Sequence, residues 1–465
     1  MTTTIKKESV NELKIAGNGA FSEAIGKLKD SGSLALLLKK LGHLPEDFDG
    51  NLLIPLLNNE SSQVRFWAVK NIGKLEDLKY LQVLSKIANE DTDSMVRREA
   101  VSSIGRMRNP QNKSILVELL NDSDPKVVLQ AIRGLLVFKK DKTVSDSLKR
   151  LIDHPNEMIQ IIIRKEYLTK STNKVGQPHN ETYDFLKNVI VNGDVRDILK
   201  LVTDESIHLT FTSPPYYNAR DYSIYQSYKE YLKFLADVFR EIYRVTKEGR
   251  FFILNTSPII IPRVSRQHSS KRYPIPFDIH PYLIDMGWEF IDDIIWLKPE
   301  TSVKNRNAGF LQHRKPLGYK PNPVTEYLMV YRKKTDKLLD WNIRQYDWNI
   351  VKESKVLDKY ETSNVWKIDP TFSKVHTAVF PVELCNRVIK FYSFKDDLVF
   401  DPFAGSGTLG RAAKNLDRCY FLTEKNEKYF QEIKKYLENN SLFVNKRPRF
   451  LTLEQFERIV RNDTY

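Results

Sequence analysis

Residues 208–222, HLTFTSPPYYNARDY, run as a strand-like stretch with Leu209 and Phe211 alternating, then break at Ser213-Pro214-Pro215-Tyr216. Two successive prolines hold φ at about −65° and remove two backbone donors, so the loop is stiff and the Pro214 carbonyl is released from a strand ladder. A rigid carbonyl, the Ser213 hydroxyl and an aromatic plane at Tyr216 or Tyr217 suit a flat heterocycle bearing an exocyclic amino group. The amino hydrogens need acceptors and the ring needs a stacking surface. Cytosine and adenine both qualify.

About 185 residues further along, LVFDPFAGSGTLGRAA (398–413) reads as a buried strand, a glycine-rich turn and a helix start. Gly405 and Gly407 let the backbone turn sharply and approach a ligand, and the helix start favours polar ligand groups. The next strand, CYFLTE (419–424), ends in Glu424, placed like the acidic residue that accepts ribose hydroxyls in doubly wound α/β folds. No G-x-x-x-x-G-K-[ST] phosphate loop is present.

Ser213 to Tyr216 resembles the [S/D/N]-P-P-[Y/F] motif of the S-adenosylmethionine-dependent DNA amino-methyltransferases, and Asp401 to Thr408 resembles their D-P-F-x-G-x-G-T cofactor motif. The catalytic motif precedes the cofactor motif, the order of the circularly permuted β class. NGDVRDIL (192–199), TEYLMVYRK (325–333) and HTAVFPVEL (376–384) also fall in the order of that class, so the resemblance covers roughly residues 185–440. It implies a Rossmann-like α/β domain with a mostly parallel sheet, S-adenosylmethionine as cofactor and double-stranded DNA as substrate, with the target base flipped out of the stack.

Carried onto this chain, the resemblance makes Ser213, Pro214, Pro215 and Tyr216 catalytic, and Asp401, Phe403, Gly405, Gly407, Thr408 and Glu424 cofactor-binding. It also brings Asp194 to the cofactor's adenine, and Phe380 with Pro381 to its methionine end. On local grounds Asp194 reads equally as a helix cap, and Phe380 as core. Serine before Pro-Pro, where adenine-directed relatives mostly carry Asp or Asn, points to the 4-amino group of cytosine. The adenine 6-amino group is the alternative, and a repeat scaffold that only binds DNA or a partner is the reading from another class. A carbon-5 cytosine mechanism needs a nucleophilic cysteine, typically after proline, and neither Cys385 nor Cys419 follows one. A cognate restriction endonuclease is a candidate partner. The oligomeric state stays open, a dimer included.

With 73 Lys+Arg against 59 Asp+Glu over 465 residues, the net charge is +14, which favours a polyanionic partner. Two cysteines and no Cys/His cluster of ligand spacing argue against disulfides and a metal site. The N-terminus lacks an apolar signal core, and runs such as FFIL (251–254) are too short to span a bilayer, so the expected compartment is cytoplasmic, with no membrane role.

The first third repeats. Ala68 to Ala100 is 32 residues, Ala100 to Ala131 is 31 and Ala131 to Ile162 is 31, with Val64, Val96, Val127 and Met158 in the same register. Paired amphipathic helices at that period resemble HEAT repeats, with LALLLKKLG (34–42) as a degenerate cap. Arg65, Arg97 and Arg98 recur beside the helix starts, as phosphate contacts or as partners of neighbouring acids.

The expected layout is an all-α HEAT-like domain at 1–168, a polar linker at 169–182, a methyltransferase domain at 183–445 and a helical tail at 446–465. Strands are expected at 188–191, 207–212, 250–255, 289–297, 325–331, 397–401 and 419–423. The basic stretches 261–276 and 298–323 read equally as loops beside DNA phosphates and base edges or as solvated basic loops. Residues 332–375 read as the target-recognition segment, with Trp341, Arg344, Gln345, Tyr346 and Trp348 as contact residues or, for the aromatics, core.

Overall fold

The computed structural model describes residues 7–28, 30–168, 178–217, 225–261, 265, 267–268, 270–303, 316–317, 321–371, 381–438 and 447–463. It divides into two compact units, Met1–Thr172 and Asn173–Tyr465.

The first unit is helical. Its repeats pair Ser62–Lys74 with Leu81–Glu90, Ser94–Arg106 with Lys113–Glu118, and Pro125–Leu135 with Lys142–Lys149, before Glu157–Tyr167. Short polar residues start these helices by accepting backbone hydrogens: Asp93 from Met95 N at 2.8 Å, Asp124 from Lys126 N at 2.8 Å and Asn156 from Met158 N at 3.1 Å. Val64, Val96 and Val127, with Ala68, Ala100 and Ala131, are fully buried, as the period requires. In the fourth repeat the register slips by one: Ile159 and Ile163 are the buried pair, whereas Met158 is exposed. Helices Lys7–Ile15, Gly17–Lys27 and Ser31–Lys40 precede the array, the last bringing Leu34, Leu37 and Leu38 into its core. Arg65 and Arg97 are tied up, each bidentate to an acid of the same array, Asp91 and Asp122, with the closest contact at 2.8 Å in both pairs.

The second unit is a doubly wound α/β fold. Its strands are β1 (Val189–Asn192), β2 (Ile207–Thr212), β3 (Thr246–Thr256), β4 (Ile259–Ile261), β5 (Lys271–Tyr273), β6 (Trp288–Leu297), β7 (Thr325–Lys333), β8 (Val365–Lys367), β9 (Leu398–Asp401), β10 (Cys419–Glu424) and β11 (Arg449–Thr452). Nine form one sheet in the order β11-β1-β10-β9-β2-β3-β7-β6-β8, and β4 pairs with β5 apart from it. Only β7 runs against its neighbours; every other pairing in the large sheet is parallel. Both faces are covered, which is why strands such as β2 are buried throughout rather than alternating polar and apolar. Val189, Phe252, Phe400 and Phe421 pack on one face with helix Tyr228–Val245, and Leu209, Ile253, Val399 and Leu422 pack on the other with helices Val382–Tyr392 and Thr408–Asn415.

The seven expected strands are present, and β4, β5, β8 and β11 are additional. The expected helical tail at 446–465 is corrected: β11 extends the sheet beside β1, and Phe456 on helix Leu453–Asp463 is fully buried against Phe421. Four residues at a sheet edge carry too little periodicity to announce a strand. The linker also ends earlier than expected, because His179 reaches Glu248 O at 2.9 Å and Thr182 is buried, both within the α/β unit. Much of the two basic stretches lies outside the described residues. Lys271–Tyr273, read as loop, pairs with β4.

Candidate active site

The chain leaves β2 toward β3 on one side and leaves β9 toward β10 on the other, so the β2/β9 boundary is the topological switch point of the sheet. Ligands of such sheets bind outside the carboxyl ends of the strands at that boundary. The two sequence motifs sit there, one at the end of each strand. Thr212, the last residue of β2, donates its hydroxyl to Asp401 Oδ1 at 2.7 Å, and the same oxygen accepts from Phe403 N at 3.0 Å. Asp401 is almost fully buried, and that burial pushes its carboxyl up to about 7, against the pull of those two donors.

Beyond Asp401 the chain turns through Gly405 (φ 54°) and Gly407 (φ 74°), both in the left-handed region that side chains with a Cβ resist. A Cβ on Gly407 would stand 3.0 Å from Ile433. Thr408 opens the next helix, buried, with its hydroxyl 3.3 Å from Ser406 and 3.2 Å from Arg411. The turn is held from the neighbouring strand. Glu424 at the end of β10 accepts from Gly405 N at 2.8 Å and from Asn426 N at 2.7 Å, and its burial raises its carboxyl above the usual range.

Asp194, just past β1, caps helix Val195–Lys200 through Arg196 N and is paired with Arg196 at 2.8 Å and Lys425 at 3.2 Å. Hydrogen bonds from Arg196 hold its carboxyl well below the usual range. The cap reading of this aspartate is therefore realised, at the carboxyl end of the strand beside Glu424. Arg196 lies over the Phe234 ring at 5.2 Å, and Phe234 faces Phe403 at 6.0 Å, which makes an aromatic and cationic wall beside the turn. Pro381 is buried at the start of helix Val382–Tyr392, and Phe380 lies outside the described residues.

At the Ser213 loop, Pro214 is buried while Ser213, Pro215 and Tyr216 are partly accessible. Tyr217 is buried within a cluster of Tyr225, Tyr228, Tyr231 and Tyr273, so of the two candidate stacking rings Tyr217 is core. The Tyr216 hydroxyl is 3.3 Å from Glu326 Oε2 on β7, and burial pushes its phenol far above the ordinary value. Asn255 on β3 donates to that same oxygen at 2.6 Å and faces Ser213 Oγ at 3.5 Å, while Lys298 pairs with Glu326 Oε1. The sequence reading misses Thr212, Asn255, Lys298 and Glu326 as site residues. The available signal is a charged or amide residue at the end of an otherwise apolar strand.

Of the two readings for Tyr346, contact residue or core, the structure realises core. This tyrosine is nearly buried, donates to Asp397 at 2.5 Å and accepts from Arg250 at 3.1 Å. Arg250 also donates to His208 O at the start of β2, and Asp397 directly precedes β9. This buried ion pair therefore belongs to the amino ends of the strands, the side of the sheet opposite Ser213 and Asp401. Trp341 lies at the same end, its ring 5.1 Å from His179, whereas Trp348 is exposed.

Fold and site together define a doubly wound α/β unit whose two sequence motifs meet at the switch point of its sheet. Residues 207–435 match the DNA methylase family of the N6/N4 type, and residues 50–136 and 81–164 match HEAT repeats. Among similar proteins, the type II methyltransferase M.MwoI of Methanothermobacter wolfeii is 29% identical over 263 residues, which are 54% of this chain and 34% of that protein. The type II methyltransferase M.ScaI of Streptomyces caespitosus is 29% identical over 271 residues, 55% of this chain and 82% of that one. The chain thus spans about a third of the length of M.MwoI, and 25% of that of M.BslI from a Bacillus strain. Among solved structures, a DNA modification methylase of Thermus thermophilus complexed with S-adenosyl-L-methionine is 24% identical with a TM-score of 0.45, covering 57% of this chain and 98% of that one. The second unit carries a DNA methylase domain of the S-adenosylmethionine-dependent N6/N4 amino-methyltransferase family, and the first carries HEAT repeats.

Proposed function

We propose that this protein is an S-adenosylmethionine-dependent DNA methyltransferase that acts on the exocyclic 4-amino group of cytosine in duplex DNA. The observation that carries the reading is the Thr212–Asp401 bond, which seats the amino-accepting loop beside the glycine turn although 189 residues separate the bonded pair. The residues present fit the cofactor. Glu424 spends acceptor sites on the backbone donors of Gly405, Asn426 and Lys425 and, as a carboxylate with about four such sites, keeps capacity for a ribose hydroxyl. The turn at Gly405 and Gly407 offers backbone without side chains, and Phe403 offers an apolar wall. Asp401, Phe403, Gly405, Gly407, Thr408 and Glu424, with Asp194, Phe380 and Pro381, are the residues we assign to it.

Bound there, the cofactor supplies an electrophilic methyl group on a sulfonium sulfur. The chain's own part is positioning. Ser213 and the Pro214 carbonyl accept from the target amino group and draw its lone pair toward the nitrogen, Tyr216 supplies the ring against which the flipped base stacks, and Pro215 keeps the loop rigid. Ser213, a neutral hydroxyl, can accept from the amino group and donate onward, which supports cytosine over adenine. The names of the relatives place them in type II systems, and we infer a cognate endonuclease as partner on that basis.

The test is direct. Purified protein, labelled cofactor and mixed-sequence DNA are incubated, and the DNA is digested to nucleosides for mass spectrometry. We expect 4-methylcytosine. Methyladenosine alone would move the target base to adenine, 5-methylcytosine would overturn the mechanism, and unlabelled DNA would overturn the enzyme reading in favour of a binding scaffold.

A further inference from the structure

Methylation of an amino nitrogen releases one proton, which must pass to an acceptor near the Ser213 loop. Under the loop, side chains from three strand ends converge: Asn255 from β3, Lys298 just past β6 and Glu326 at the start of β7. A carboxylate only accepts, so the Tyr216 hydroxyl, 3.3 Å from Glu326 Oε2, must be the donor in that bond. Its oxygen then keeps lone pairs for other donors, and the Ser213 and Ser257 hydroxyls are both among its hydrogen-bond partners. Asn255 is oriented by the same logic. Its amide nitrogen must face Glu326, at 2.6 Å, which leaves that NH₂ and not its oxygen turned toward Ser213 Oγ at 3.5 Å. Ser213 therefore has its proton directed to Tyr216 and a lone pair left for the substrate.

We propose that Glu326 is the terminal proton acceptor of the methyl transfer, reached from Ser213 through the Tyr216 hydroxyl. The inference rests on the methyltransferase reading above. The substrate nitrogen forms one bond to carbon and breaks one to hydrogen, and the carbon–sulfur electron pair stays on sulfur. The released proton goes to Ser213 Oγ as the serine proton passes to Tyr216 and the tyrosine proton to Glu326 Oε2. The sum is one proton on Glu326, later returned to solvent, and no oxidant or reductant is involved. Lys298 holds Oε1, so the free side of the carboxylate is the one that faces Tyr216 and Asn255. Asp401, the other carboxylate joined to this loop, is reached through Thr212 and not through Ser213. Tyr216 thus has a second role beside stacking, and Asn255 is a positioning residue that keeps the serine hydroxyl pointed along the route.

Single-turnover methylation by the full chain tests this with Glu326→Gln, Tyr216→Phe and the double variant. Each single change should slow transfer by about 100-fold, the lower range for a lost proton-transfer group. The double variant should fall no further, because both changes cut one path. Calorimetric affinity for S-adenosylmethionine and anisotropy-based affinity for DNA should stay near wild type in all three, a readout that a general loss of structure would move. Transfer by Glu326→Gln at close to the wild-type rate, or losses that multiply in the double variant, would overturn the route while leaving the methyltransferase reading standing. A wild-type chain that methylates no DNA would overturn both.

Discussion

Thr212 at the end of β2 donates to Asp401 at the end of β9 at 2.7 Å, and this bond joins the strand that leads into the Ser213 loop to the strand that leads into the glycine turn, the two halves of the site we propose. Both partners are buried, so neither can exchange the other for water. Thr212→Val keeps the shape and removes the donor. We expect a stability loss of about 1–3 kcal/mol, the cost of leaving a buried acceptor short of a partner, with Thr212→Ser retaining most of it. Urea denaturation of the two variants measures the difference.

The same carboxyl sets a pH dependence. Burial raises Asp401 from the ordinary 3.8 to about 7 in the folded chain and raises Glu424 as well, so the folded state holds protons that the unfolded state has released. Stability from Asp401 is full below its unfolded value and is lost as pH rises through about 7. Asp401→Asn should therefore flatten the stability profile between about pH 4 and 7. Denaturation midpoints collected across that range would show a slope as steep as wild type if the assignment is wrong.

Much of the fold is legible in the sequence because its central strands are short apolar or alternating runs rich in β-branched and aromatic residues. VIVN and LVFD, and IHLTFT with its alternating Ile207, Leu209 and Phe211, need no partner to announce a strand. The edge strands β8 and β11 are three and four residues long and only partly buried, so nothing in them exceeds the background. The motifs at Ser213 and Asp401 are legible as motifs; their contact is not, because it depends on β2 and β9 becoming neighbours. Lys298 reads as part of a basic loop, beside phosphates or solvated, yet it pairs with Glu326. Tyr346 reads as contact residue or core alike, and Arg250 with Asp397, far off in sequence, decide for core. Long-range pairing decides both cases, and local pattern carries no trace of it.

Gly405 lies at φ 54° in the turn whose amide Glu424 holds. Gly405→Val forces a β-branched side chain into the left-handed region, at about 1–2 kcal/mol of strain, and puts bulk where, in our proposal, the backbone meets the cofactor. Loss of S-adenosylmethionine binding with a retained circular dichroism spectrum is the expected result. Calorimetry giving near wild-type affinity in a folded variant would remove the turn from the cofactor site.

The two compact units divide between Thr172 and Asn173. Each has a hydrophobic core of its own. A chain of residues 173–465 should accordingly fold and bind cofactor by itself. An insoluble or non-binding fragment would make the helical array part of the catalytic fold.

The arginines of the array yield the last prediction. Arg65 and Arg97 recur at the repeat period, which on a basic chain leaves two readings, a row of phosphate contacts or partners of neighbouring acids. The second holds: both are largely buried and bidentate to Asp91 and Asp122, with side-chain exposures of 13% for each arginine and 3% and 9% for the acids. A charge so paired has no free face to offer a phosphate, and removing one partner strands the other in a poorly hydrated place. Asp91→Ala should therefore cost the array about 3–5 kcal/mol, the range for a broken buried pair. Arg65→Gln should destabilise in the same direction. Neither should change the slope of DNA affinity against salt, whereas a lost phosphate contact lowers that slope by about one counterion. Thermal denaturation of the array and DNA titrations at several salt concentrations check the two halves separately. A flatter salt slope in a folded Arg65→Gln chain would return this arginine to the DNA-binding surface.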